Sequence, residues 1–182
     1  MDAWRAFWVS RLVVWVAGVA AVVAAGVLDP NAERFDPEGL TRPFGAVGDD
    51  LVAPGARWDA VWFLRIAEDG YDGDRVAFFP LYPLLVKAGG VLVGSPVVAG
   101  MLISLACLFG ALVLLGRLVA LDFGRDVARL AVLLIAIFPG ALWFSSVYSE
   151  ALFLLLSVGA VSSARPDRWA VAGAVGPLAA TR

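Results

Sequence analysis

The chain has 182 residues, 61% of them hydrophobic and 16% charged, with a net charge of −2 and a mean hydropathy of +0.85. Soluble domains carry roughly 45–50% apolar and about 25% charged residues, so this balance excludes an ordinary soluble domain and points to a polytopic, all-α membrane protein. A single cysteine, Cys107, excludes an internal disulfide, and the slight negative charge offers no field for nucleic acid. Histidine is absent, which leaves proton transfer to carboxylates, Lys87, tyrosine or the cysteine.

Arg5 and Arg11 precede an apolar run over residues 12–28 that ends at Asp29-Pro30. A span needs about 20 such residues. A signal peptide shares the basic start, but the run is longer than a signal core and more apolar segments follow. A retained first transmembrane helix, with its Arg11 end inside, is the better reading.

Residues 29–75 hold eleven acidic and five basic residues, about −6 in all, and form the only long polar region. Its first part, 29–55, is rich in Pro, Gly and Asp and reads as a loop. Basic residues favour the cytoplasmic side, so an inside-to-outside first helix makes this loop external. Over 57–69, Trp58, Trp62 and Arg65 recur at helical spacing, as do Asp59, Phe63 and Ile66, and Gly70 supplies a stop. An amphipathic helix lying along the outer membrane surface is expected there.

Residues 76–94 are apolar but interrupted by Pro80, Pro83, Lys87 and Gly89-Gly90, which suits a broken or re-entrant segment better than a clean span. Spans are expected over about 97–119, 127–144 and 147–163, with another beginning at 169–182. If 76–94 does not cross, the Arg117–Arg129 loop and the Arg165–Arg168 turn both fall inside, in line with the positive-inside rule. Tyr148, Ser149 and Glu150 then share the external side with residues 57–83. A set of spans that stops at residue 182 is expected to be the N-terminal part of a longer protein.

Asp59, between Trp58 and Trp62, is a carboxylate at a low-dielectric boundary. It can serve as a general base toward an alcohol or stabilise positive charge on a sugar ring; the plainer alternative is a carboxylate satisfying donors at a helix N-terminus. Arg57 and Arg65 are placed to meet a phosphate, or to anchor to headgroups or pair with Glu68 and Asp69. Asp69, Asp72 and Asp74 lack a calcium-loop spacing. Phe78-Phe79-Pro80-Leu81-Tyr82-Pro83 sets large side chains between two rigid points, as a sugar- or isoprenoid-binding element or as an interfacial aromatic belt. Glu150 beside a leucine run is either functional or a first-turn carboxylate behind a Ser149 cap.

Taken together, Trp58-Asp59, Ile66-Ala67, Gly70-Tyr71, Phe78–Pro83, Phe138-Pro139, Tyr148-Ser149-Glu150 and Leu178-Ala179-Ala180-Thr181-Arg182 stand in an order that resembles the PIG-V family of multispanning mannosyltransferases. That family includes the GPI mannosyltransferase adding the second mannose. The resemblance runs over essentially the whole chain but only the N-terminal half or less of a family protein. It implies a GT-C-type helical bundle with acidic residues in the first external loop. It also implies a polyprenyl- or dolichyl-phosphate sugar donor and inversion at the anomeric carbon. Asp59 is then expected at the active site with Glu150 close by, and Asp49 and Asp50 are rival acids in the same loop. Arg57, Trp58, Trp62, Arg65, Tyr71, Phe78, Phe79, Tyr82 and Tyr148 are expected to line the substrate groove. No cofactor is expected, a divalent metal is left open, and the lipid-linked sugar is a substrate.

An arginine-rich composition suggests a bacterial plasma-membrane protein, whose acceptor would be the hydroxyl of an envelope glycan, glycolipid or protein. The alternatives are a multispanning transporter or flippase, suggested by the interrupted segment 76–94, and a non-catalytic membrane scaffold. A partner subunit is not indicated either way.

Overall fold

The computed structural model describes residues 2–25, 36, 38–165 and 169–181. The end of the expected first span (26–28), the start of the acidic loop (29–35) and most of the Arg165–Arg168 turn lie outside the described residues. Every regular element among the described residues is helical: α1 Ala3–Ala25, α2 Gly45–Val52, α3 Ala60–Asp69, α4 Leu81–Val93, α5 Pro96–Ile137, α6 Glu150–Ala164 and α7 Trp169–Ala180. Short 3₁₀ turns at Ala53–Gly55, Gly73–Ala77 and Pro139–Ser145 join them. Among the described residues, two helices are long and apolar enough to cross a membrane, within α1 and α5, or three if the bent pair of Pro139–Ser145 and α6 is one span. The chain is therefore a membrane-associated all-α protein, with fewer clear spans than the expected full bundle.

α1 starts well before the expected residue 12, so Arg11 lies inside the helix instead of marking its end. Its side chain is 6% exposed. The expected helix over 57–69 begins at Ala60, because Trp58 takes a left-handed φ of 51° that a helix cannot contain. Nor does α3 simply lie on a surface: Val61, Phe63, Leu64, Ile66 and Ala67 are buried. Gly70, at φ 87°, ends it as expected.

In place of one interrupted segment over 76–94, the chain forms a 3₁₀ turn and then the 13-residue helix α4. At 1.5 Å per residue α4 is about 20 Å long, short of the roughly 30 Å apolar core of a bilayer. Gly94, in the left-handed conformation, ends it. Ser95 then caps α5 through the Val98 amide, with Pro96 at the first helical position. α4 folds back on the start of α5, and the Tyr82 hydroxyl reaches Gly100 and Ser104.

The 42 residues of α5 are two limbs. Gly124 has φ 84° and ψ 171°, outside any helix. On a straight helix Gly116 and Val132 would stand about 24 Å apart, yet a Cβ placed on Gly116 would lie 3.2 Å from the Val132 side chain. The chain therefore reverses at Gly124. The second limb was expected to continue to residue 144; it ends at Ile137 because Pro139 offers no N–H and forces Phe138 to an extended φ/ψ of −62°/157°.

Small residues let the limbs approach closely. A Cβ on Gly100 would come within 2.8 Å of Val147 and 3.4 Å of the Tyr82 hydroxyl. Gly100→Ala is expected to cost about 1–3 kcal/mol by overpacking, read as a lower midpoint of thermal unfolding in detergent, since Val147 is fully buried and has nowhere to yield.

Candidate functional site

The second limb of α5 leaves carbonyls without intrahelical partners where it breaks. Arg11 supplies them. Its Nη2 donates to Ala136 O at 2.7 Å, and its Nη1 to Ala141 O and Ser145 Oγ at 2.6 Å each. A planar guanidinium meets several acceptors at once, and it fixes the irregular path of Pro139–Ser145 in an apolar environment. That path delivers Ser146, Val147 and Tyr148 to the loop ahead of α3.

There the two segments are stitched together. The Ser146 hydroxyl reaches the Pro54 carbonyl at 3.4 Å, and the Val147 amide donates to Gly55 O at 2.7 Å. The Tyr148 hydroxyl accepts from the Asp59 amide at 3.0 Å and donates to the Arg57 carbonyl at 3.1 Å. One phenol thus closes both sides of the left-handed Trp58. The Ser104 hydroxyl holds Tyr148 from behind, donating to its carbonyl at 3.1 Å.

The latch sets the two carboxylates. Asp59 occupies the N-cap position of α3, but its side chain makes no cap hydrogen bond and is exposed. The plain capping role is therefore not what it performs. Glu150 opens α6, where Ser149 likewise makes no side-chain cap bond, and one of its carboxylate oxygens is buried. Asp59 and Glu150 both lie close enough to the Tyr148 phenol to act on it electrostatically. The Tyr148 latch thus joins Asp59 to the segment that carries Glu150, 91 positions further along the chain.

Aromatic rings continue outward from that point. Trp58, 62% exposed, meets Trp143 edge-on at 5.1 Å; Trp143 lies 4.8 Å from Tyr148, and Phe63 6.1 Å from it. Phe78 stacks on Trp62 at 6.1 Å, while Phe79 is exposed. Tyr71 donates to the Phe78 carbonyl at 2.8 Å and so shapes this loop; desolvation holds its phenol above the usual pKa.

Several expected groove residues have other work. Tyr82 is completely buried and its hydroxyl is used on Gly100 and Ser104, so it is a strut within the helix pair and presents nothing to a ligand. Arg65 pairs with Glu38 at 3.6 Å, not with Glu68 or Asp69, and lies over the Trp62 ring at 5.8 Å. Arg57 has a buried Nε without a hydrogen-bond partner among the described residues. Asp49 accepts from the Phe44 amide at 2.8 Å, and Asp50 is exposed on α2; among the described residues neither contacts the latch. No group of three or more potential metal ligands gathers among the described residues. Arg11, Ser104, Trp143 and Ser146 were absent from the expected set. The one sequence signal for them was Pro139, which requires donors for the carbonyls it frees.

Tyr148→Phe is expected to weaken folding by about 1–3 kcal/mol, the cost of leaving partly buried backbone groups unpaired. Hydrogen exchange at the Asp59 amide should accelerate while that of the α5 amides stays unchanged.

A family model described as Mannosyltransferase (PIG-V) matches residues 45–175. The chain is 35% identical over 169 residues to the GPI alpha-1,6-mannosyltransferase 2 of Rattus norvegicus, covering 84% of this chain and 34% of that protein. It is 32% identical over 163 residues to the Homo sapiens protein of the same name, covering 81% and 33% respectively. The chain spans about a third of the length of the curated relatives it matches. No solved structure matches it.

Proposed function

Because the chain belongs to the mannosyltransferase (PIG-V) family, we propose that it carries the acidic part of a glycosyl-transfer site at a membrane surface. The sugar is a hexose, mannose by family, moved from a polyprenyl-phosphate donor. The acceptor is a hydroxyl on an envelope glycan, glycolipid or protein. The observation that carries this is the Tyr148 latch, which ties an exposed, uncapped Asp59 to the segment that leads into Glu150.

In the proposed step the acceptor oxygen attacks the anomeric carbon from the side opposite the phosphate. Its proton passes to the Asp59 carboxylate. The bond from the anomeric carbon to the phosphate oxygen breaks, and its electron pair leaves on the polyprenyl phosphate, with inversion. Arg57 is the better candidate to face the phosphate, since Arg65 already has Glu38. Glu150 and Tyr148 position Asp59, and Trp58 with Trp62 and Phe79 borders the sugar and lipid. No cofactor enters this scheme.

The site lies at the opposite end of the helices from Arg117, Arg125, Arg129 and Arg165. Ser104, next to Tyr148, precedes Arg117 by about 20 Å of helix, and Asp2, at the start of α1, pairs with Arg129. With the positive-inside rule, this supports a cytoplasmic N-terminus and an external Asp59; the membrane in this reading is a bacterial plasma membrane. The test is transfer of labelled mannose from synthetic polyprenyl-phosphate-mannose by membranes holding the complete reading frame that contains this chain. Labelled glycan or glycolipid should accumulate and free polyprenyl phosphate appear in equal amount. Movement of intact donor across the bilayer with no transfer would support a flippase in its place.

A further inference from the structure

At the end of the molecule away from Asp59, a cleft of about 390 Å³ opens between the start of α1 and the two limbs of α5. Val113, Gly116, Ala120, Ala128 and Val132 make its walls apolar, and Arg117, Arg125 and Arg129 line it with Asp2. Arg129 is already paired, with Asp126 at 3.3 Å and with Asp2 at 3.9 Å. Arg117 and Arg125 have no ion pair or hydrogen bond among the described residues. The cleft therefore offers two guanidinium groups that have no ion pair among the described residues, above an apolar floor.

Its surroundings match a bilayer boundary. Trp4 and Trp8 are exposed on the neighbouring turn of α1, and Leu121, Phe123, Val127 and Leu130 are exposed around the Gly124 reversal. Exposed tryptophans favour the headgroup level, and the apolar side chains suit acyl chains just below it. A soluble anion would use the two arginines but not the apolar walls. A lipid with a phosphate and two acyl chains uses both, as basic pockets between membrane helices do.

The geometry points to a binding site for one anionic phospholipid, its phosphate held by Arg117 and Arg125 and the upper part of its acyl chains by the apolar walls. The site is independent of the transfer chemistry assigned to Asp59.

The protein, purified in detergent and exchanged into bilayers of phosphatidylcholine with or without phosphatidylglycerol, tests this by native mass spectrometry of retained lipid. The wild-type protein is expected to keep one phosphatidylglycerol in preference to phosphatidylcholine. Arg117→Gln with Arg125→Gln should bind it about thirtyfold more weakly, since each basic residue near a membrane surface is worth about a factor of five. Arg117→Lys with Arg125→Lys should recover most of the binding, and Arg42→Gln, which is away from the cleft, should leave it unchanged. Circular dichroism on each variant separates lost binding from lost fold. Equal retention of both lipids, or equal retention by the Gln variants, would overturn the assignment. So would displacement of the lipid by inorganic phosphate, which would make the cleft a free-phosphate site.

Discussion

Replacing Arg11 with methionine is expected to destabilise the chain by about 2–4 kcal/mol and to open the Pro139–Ser145 segment to protease. Methionine fills similar space but has no donors. Ala136 O, Ala141 O and Ser145 Oγ, each now bound at 2.6–2.7 Å, would lose their partner. A buried acceptor left unpaired costs about 1–3 kcal/mol. Against that stands the relief of no longer burying a guanidinium, which is itself costly, so the net loss is smaller than the sum. Arg11→Lys should recover less than half of it, because an ammonium on a flexible stem cannot span acceptors on both sides of the break. Urea or thermal unfolding in detergent reads the stability, and the sites of limited proteolysis read the location. Unchanged stability in the methionine variant would mean that the carbonyls find water or other donors.

The larger chemical effect is expected at Asp59. In the complete protein, Asp59→Asn should lower transfer by about 10²–10⁴-fold, the usual contribution of a positioned general base. Stability should hardly change, since the side chain is exposed and makes no cap hydrogen bond. Asp59→Glu keeps the carboxylate but moves it by one methylene, and should retain part of the rate. Donor binding, measured as retention of polyprenyl-phosphate-mannose, should persist in both, because the phosphate is assigned to Arg57. Glu150→Gln should have a smaller effect than Asp59→Asn, as fits a group that acts through Tyr148.

How far the sequence reaches depends on the range of the interaction. The helical repeat of Trp58, Trp62 and Arg65 is local, and it located α3 to within three residues of its start. The missing turn is due to Trp58, whose left-handed φ of 51° is held by Tyr148, some ninety residues away. No periodicity encodes that. Arg11 misled for the same reason: a cation in an apolar run looks like the end of a helix unless its acceptors, 125 to 134 positions along the chain, are known. Pro139 was visible, yet its consequence lay in the donors it demands elsewhere. Charge along the chain was more informative, since it separated Asp59 and Glu150 from the arginine loops, and in the structure Arg117, Arg125 and Arg129 flank the Gly124 reversal of α5 while Tyr148 is held at Ser104, about 20 Å of helix from Arg117. Tyr82 shows the limit of composition. An aromatic between two prolines suits a groove as well as a core, and only the fold of α4 against α5 buries it.

The most direct test combines two changes in one transfer assay, with donor saturating: Asp59→Asn, Tyr148→Phe and the double variant beside the wild type. If the phenol acts only by seating Asp59, Tyr148→Phe lowers the rate by itself, but adding it to Asp59→Asn costs nothing further. Two losses that simply multiply, or full transfer by Asp59→Asn in a folded protein, would contradict a transfer site built on Asp59 and held by Tyr148.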